Sequence, residues 1–218
     1  MIEHLSERDR KNLQAAKRKG VSPSASLRPH FMALARQIQK WAVDNHLQSA
    51  RPLNIGITSL DARAGKSTIS FNLAAALVTA THEKVLLVEA DFGKNYITRR
   101  LGRARSCGLA ELILGFETAD DAIQETPLSG LFVLGCGRKS GQSALELPFE
   151  LLQDVIAAKF SQFGFAVYDL PVANHSTACF ALASQLDGII IAVEANQIDH
   201  QQINRVKKQM ATFDAQII

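Results

Sequence analysis

Cysteine is scarce in this chain, with three in 218 residues, Cys107, Cys136 and Cys179. They are far apart and form no Cys-x-x-Cys pair or Cys/His ligand spacing, which excludes a disulfide framework and a thiolate metal site and leaves ordinary thiols of a reducing compartment. No apolar run approaches the roughly 18 residues that suggest a membrane span. The opening residues, MIEHLSERDRK, are charged and unlike a secretion leader. A cytoplasmic location is therefore expected. Charge of one sign is lacking as well: 24 Lys and Arg stand against 21 Asp and Glu, a net +3. With no dense basic stripe, no nucleic-acid partner is expected, although a mild positive excess suits an anionic ligand or a lipid surface. Tyrosine is nearly absent, with Tyr96 and Tyr168 the only two. No internal repeat or low-complexity tract is evident.

What the chain does have is 47% hydrophobic residues, gathered into short runs, and enough length for one full core plus an attached segment. Residues 1–50 read as an N-terminal helical arm. It opens with a polar stretch, helical near residues 5–18, that contains Lys17-Arg18-Lys19 and the Ser/Pro-rich VSPSASLRP. From Phe31 to about His46, Phe31, Leu34, Ile38, Trp41 and Ala42 recur at helical spacing. That amphipathic helix either covers a core or meets a partner. Arg51-Pro52 ends the lead-in.

Residues 51–218 read as one nucleotide-binding domain. Five apolar runs predict buried strands: NIGIT (54–58), KVLLVEAD (84–91), LFVLGCG (131–137), FAVYDLP (165–171) and DGIIIAVEA (187–195). Helical patterns are expected over 66–77, 108–114, 119–125, 145–160, 176–185 and 199–211. Near-continuous apolar strands alternating with helices predict an α/β fold, a doubly wound, mainly parallel sheet covered on both faces. The final AQII (215–218) reads as the start of a sixth strand, so the domain is expected to continue past Ile218.

The chemistry-bearing motif lies between the first strand and the alanine-rich helix, at Arg63-Ala64-Gly65-Lys66-Ser67-Thr68. Small residues before the lysine clear space for phosphate, and backbone amides of the loop and first helical turn can face phosphate oxygens. Lys66 is then expected on the β- and γ-phosphates and Ser67 on Mg²⁺, which makes ATP and Mg²⁺ the expected ligands. The loop is not a full G-x-x-x-x-G-K-[ST]. Leu60 holds the place of the first glycine and Arg63 sits where many loops use glycine. Arg63 either carries a strained backbone or offers its guanidinium to a phosphate.

A magnesium-nucleotide site also needs carboxylates at strand ends. Asp169 ends FAVYD and suits the acid that bonds a magnesium-bound water. Glu89 and Asp91 end VLLVEAD, where alternation places them on one face. One is expected beside the metal and the other against an attacking hydroxyl or water. The candidate catalytic set is Lys66, Glu89, Asp91 and Asp169, and the candidate metal set is Ser67, Glu89 and Asp169. The base reader stays open. Asn196-Gln197-Ile198-Asp199 superficially matches a guanine-reading motif, but with glutamine in place of its lysine.

Taken in order, TSLDARAGKSTISFNLAAAL (58–77), KVLLVEADFGK (84–94), CGLAELILG (107–115), LFVLGCG, FAVYDLPVA (165–173) and LDGIIIAVEA (186–195) resemble the bacterial tyrosine kinases of capsule and exopolysaccharide synthesis. These form a branch of the MinD/ParA-like P-loop ATPases. The resemblance runs from about Leu27 to Ile218. It implies a Walker A loop at Lys66, Ser67 and Thr68, a second acidic motif at Glu89 and Asp91, and a Walker B acid at Asp169. It also implies Mg²⁺-ATP, phosphate transfer to tyrosine, and a membrane-embedded polysaccharide co-polymerase as activating partner, which would hold the chain at the inner face of the membrane. Assembly as a homo-oligomeric ring is implied too. The chain departs from the family pattern at several points. Glu89 replaces an aspartate, Gly93 an arginine, and Arg63-Ala64 a glycine-glutamate pair. The ring-contact pattern Glu-x-x-Arg-x-x-Arg is met only as Ala33, Arg36 and Gln39, and Asp61 holds the place of the MinD/ParA signature lysine. No tyrosine cluster is present, so a catalytically weak, nucleotide-gated regulatory subunit is an alternative to a kinase; a positioning ATPase is a further alternative, disfavoured by Asp61.

Overall fold

The computed structural model describes residues 28–47, 52–93, 96–100, 107–116, 122–137, 147–194 and 200–218. The expected helix near 5–18 and the Asn196–Asp199 stretch lie outside these. Six strands form one sheet: β1 (Leu53–Ser59), β2 (Val85–Glu89), β3 (Ile123–Glu125), β4 (Leu131–Leu134), β5 (Phe165–Asp169) and β6 (Gly188–Ala192). Their order is β3-β4-β2-β5-β1-β6, all parallel except the β3–β4 pair. Each apolar run supplies residues to both faces because side chains alternate along a strand. Leu86, Val88, Ala166 and Tyr168 enter one core, while Val85, Leu87, Phe165 and Val167 enter the other.

Helices cover both faces. They are α1 (Arg28–Asp44), α2 (Lys66–Thr81), α3 (Tyr96–Arg100), α4 (Leu109–Ile113), α5 (Leu152–Lys159), α6 (Thr177–Ala183) and α7 (His200–Thr212), with 3₁₀ turns at Phe149–Leu151 and Ala173–His175. The two readings left open for α1 are resolved. It covers the core: Ala35 and Ile38 are buried with Leu73, Ala74 and Leu77 of α2. β1 is paired on both sides, by β5 and β6, and Gly56 within it lets neighbours close in. A Cβ there would lie 2.7 Å from the side chains of Ile189 and Leu170.

Two expectations need correction, and one helix was not expected. The pattern at 119–125 predicts a helix, but Ile123–Glu125 is an edge strand that pairs antiparallel with Phe132–Leu134. The stretch after Asp91 contains a helix, α3, that the sequence pattern did not announce. Among the described residues of 145–160, regular structure begins at Phe149, as a 3₁₀ turn that passes into α5. At the end of the chain, Ile217 forms a single parallel bridge with Ile189 on β6.

Candidate phosphate-binding site

The sheet order determines where the site forms. β1 lies between β5 and β6, and β2 lies beyond β5, so the loop after β1 opens beside the carboxyl ends of β5 and β2. In open α/β sheets, ligands bind outside the carboxyl ends of strands where the winding direction switches. Asp169 pairs in register with Ile57 on one side and Glu89 on the other.

The loop itself differs from the expected strain. Gly65 is the residue in the left-handed region, at φ 74° and ψ 16°, and it serves as the N-cap of α2. Arg63 is not among the described residues with positive φ, so its side chain carries no backbone penalty. It is exposed and lines the pocket with Ala62, Gly65, Lys66, Ser67, Thr68 and Tyr96, around a volume of about 340 Å³. Leu60, in the place of the first glycine, is buried in the core, and its carbonyl accepts a 2.7 Å hydrogen bond from the Asn174 side chain. The loop is thus anchored by packing at one end and opens into α2 at the other. The first-turn amides of such a helix have no intrahelical acceptors and carry the positive end of its dipole.

Lys66, Asp91 and Asp169 come together in the structure. The Lys66 ammonium lies 2.8 Å from Asp91 and 3.4 Å from Asp169, and all three residues are buried. Ser67 Oγ donates to Asp169 Oδ2 at 2.6 Å. Ser70, which the sequence reading did not single out, donates at 3.3 Å to Asp169 Oδ1 and at 2.9 Å to the Lys66 carbonyl. Its signal was the i, i+4 spacing from Lys66, which puts both on one helix face. Burial pushes the Asp169 carboxyl above the usual aspartate range, a shift opposed by the Lys66 charge and the Ser67 hydroxyl. Thr58 beneath the loop donates to the Pro171 carbonyl at 2.6 Å, linking β1 to the segment after Asp169.

Glu89 takes different partners. β2 ends at Glu89, so strand alternation does not carry to Asp91. Fully buried, Glu89 accepts hydrogen bonds from the amides of Ile97 and Thr98 and from the Thr98 hydroxyl. Asp91 instead turns to Lys66 and to the Gly93 amide. Burial raises the Glu89 carboxyl above its ordinary value, against the lowering effect of these donors. Tyr168 is buried in β5 and donates to Asn54, whereas Tyr96 is 43% exposed.

A magnesium ion fits part of this arrangement. The Ser67 proton is taken by Asp169, which leaves the hydroxyl lone pairs for a cation on the pocket side. Among the described residues no group of three or more His, Cys, Asp or Glu could hold a metal by itself. An ion here would depend on Ser67, water and phosphate oxygens, as Mg²⁺ sites at nucleotides commonly do.

The chain matches tyrosine-protein kinase CpsD of Streptococcus agalactiae at 26% identity over 182 residues, covering 83% of this chain and 76% of that protein. Its fold matches the solved kinase domain of VpsO with a TM-score of 0.70 and 25% identity, covering 88% of this chain and 94% of that one. The chain is a relative of the bacterial tyrosine kinases of capsule and exopolysaccharide synthesis. It also matches the succinoglycan biosynthesis transport protein ExoP of Rhizobium meliloti, at 30% identity over 158 residues. It spans 20% of ExoP, so it corresponds to one part of that longer protein. The wider fold is shared with the septum-site protein MinD of Pyrococcus horikoshii, solved with Mg-ADP, at a TM-score of 0.62, 19% identity and coverage of 76% of this chain and 69% of that one. No family model matches the chain. Among the described residues, no helix is long and apolar enough to cross a membrane.

Proposed function

We propose that residues 51–218 form a nucleotide-binding domain that takes Mg²⁺-ATP at the loop Arg63–Thr68 and transfers its γ-phosphate to a protein tyrosine. The observation that carries this reading is the buried cluster of Lys66, Asp91, Asp169 and Ser67 at the start of α2. Arg63, Ala64, Gly65 and Thr68 border the space for the phosphates. Lys66 neutralises charge on the β- and γ-phosphate oxygens. Ser67 would hold Mg²⁺ directly and Asp169 would hold it through water, and an ion bound there would supply charge stabilisation for phosphoryl transfer. Asp91 orients the attacking hydroxyl and accepts its proton as the new oxygen–phosphorus bond forms and the bond to the ADP oxygen breaks. Tyr96, exposed at the pocket, is an acceptor candidate within the chain; a tyrosine supplied by another subunit is the alternative.

The similarity to ExoP supports work beside a polysaccharide co-polymerase at the inner face of the membrane. It also supports assembly with such a partner or as a homo-oligomer. The replacement of the ring-contact glutamate by Ala33 favours a second reading, a nucleotide-gated regulatory subunit with little turnover. Calorimetry with Mg²⁺-ATP, followed by phosphotyrosine detection with and without co-polymerase, separates the two. Binding with phosphotyrosine supports the kinase. Binding with neither phosphotyrosine nor ADP release supports the regulatory subunit. Lys66→Ala is expected to weaken ATP binding at least about tenfold, roughly 1.4 kcal/mol; unchanged affinity would remove the phosphate-site assignment.

A further inference from the structure

Glu89 occupies the position where the sequence suggests a catalytic or metal-side acid, yet its carboxylate is engaged elsewhere. Oε1 accepts from the Ile97 amide at 2.6 Å, and Oε2 accepts from the Thr98 amide at 3.0 Å and from the Thr98 hydroxyl. Both amides belong to the first turn of α3, whose first residue is Tyr96. A five-residue helix has too few hydrogen bonds to hold itself in water. Its place depends on contacts from outside, and the buried carboxylate supplies three of them. Gly135 confines the same turn from the other side, since a Cβ there would come within 2.6 Å of the Thr98 hydroxyl. Tyr96, directly before the clamped residues, lines the phosphate pocket. Glutamate also suits this task better than aspartate. Removing one methylene would withdraw the carboxylate by roughly 1.5 Å, beyond hydrogen-bond reach of the α3 amides.

We propose that Glu89 is a positioning residue that clamps the start of α3 and thereby fixes Tyr96 as a wall of the phosphate pocket. This deepens the nucleotide-binding reading and rests on it for the pocket's occupant, although the clamp itself can be read without nucleotide. The chain has two tyrosines, so incorporation of 3-fluorotyrosine gives two ¹⁹F resonances. Buried Tyr168 reports the fold and Tyr96 reports the pocket wall. In the wild type, the Tyr96 resonance should differ from that of a solvent-averaged fluorotyrosine and should shift when Mg²⁺-ATP is added. In Glu89→Gln and Glu89→Asp it should move to the solvent-averaged position while Tyr168 stays in place. The Mg²⁺ midpoint for ATP binding, measured by calorimetry, should remain within about threefold of wild type. An unmoved Tyr96 resonance in Glu89→Gln would overturn the clamp. So would a rise of about tenfold or more in the Mg²⁺ midpoint, which would return Glu89 to the metal side. If the wild type binds no Mg²⁺-ATP, the nucleotide reading fails, and the unliganded Tyr96 resonance still decides the clamp. If Tyr168 shows that the Glu89 variants do not fold, Thr98→Val removes the hydroxyl donor with little change of shape. It should displace the Tyr96 resonance in the same direction, and an unmoved resonance there counts against the clamp.

Discussion

Leu60 and Gly65 flank the same loop and carry opposite requirements. Leu60 is 2% exposed and packed in the core. Truncating a buried leucine leaves a cavity, so Leu60→Ala should cost about 3 kcal/mol in urea unfolding. Glycine there would bring the loop closer to the family pattern, yet it should cost at least as much. Gly65 sits at φ 74° with open space where a Cβ would go. Gly65→Ala should therefore cost only about 1 kcal/mol, from backbone strain without a clash. Chemical denaturation of both variants checks the contrast. Asp169 adds a pH dependence. Its carboxyl titrates above the usual aspartate range because it is buried. Between the unfolded and folded pKa values the folded chain binds more protons than the unfolded one, so stability falls as pH rises through that window and is constant above it. Asp169→Asn should remove this decline. With the proposed magnesium site, ligand binding would run the other way, because a magnesium-bound water held by Asp169 would need the ionised form. Mg²⁺-ATP affinity should fall as pH drops through the raised pKa, and a pH series of calorimetric titrations reads that directly.

At the scale of elements, the parallel strands were legible because each is apolar on both faces, as a sheet covered twice demands. The edge strand Ile123–Glu125 was not, since its three residues are only partly buried or exposed and it owes its form to pairing with β4. Helix α3 was invisible for a related reason. It is short, it contains β-branched Ile97 and Thr98, and its start is held by a carboxylate on another element. Local pattern does not record such long-range support. Helix α1 was legible as amphipathic, but its partner was not. Ile38, buried against α2, now fixes it, and Ile38→Ala should cost between about 2 and 5 kcal/mol in the same unfolding assay. A loss well below that range would mean that α1 is only loosely attached to the domain.

For the molecule as a whole, the motif Ala64–Thr68 and the strand-end acids were enough to point to a candidate phosphate site at a strand-to-helix junction, and the sheet order puts that junction beside the carboxyl ends of β5 and β2. The structure adds the arrangement of its side chains: Lys66 between Asp91 and Asp169, Ser67 and Ser70 on Asp169, and Glu89 on α3. Sequence spacing brought Lys66, Asp91 and Asp169 into one hypothesis. It could not separate the roles of two acids two residues apart, because that depended on where the chain turns after β2. The measurement that tests the central claim most directly is calorimetric titration of Mg²⁺-ATP into the wild type and Lys66→Ala, with phosphotyrosine read on the same samples. Saturable binding and phosphotyrosine in the wild type, with both diminished in Lys66→Ala, are the predicted result. Equal affinity in the two proteins, or no binding by the wild type, would contradict it.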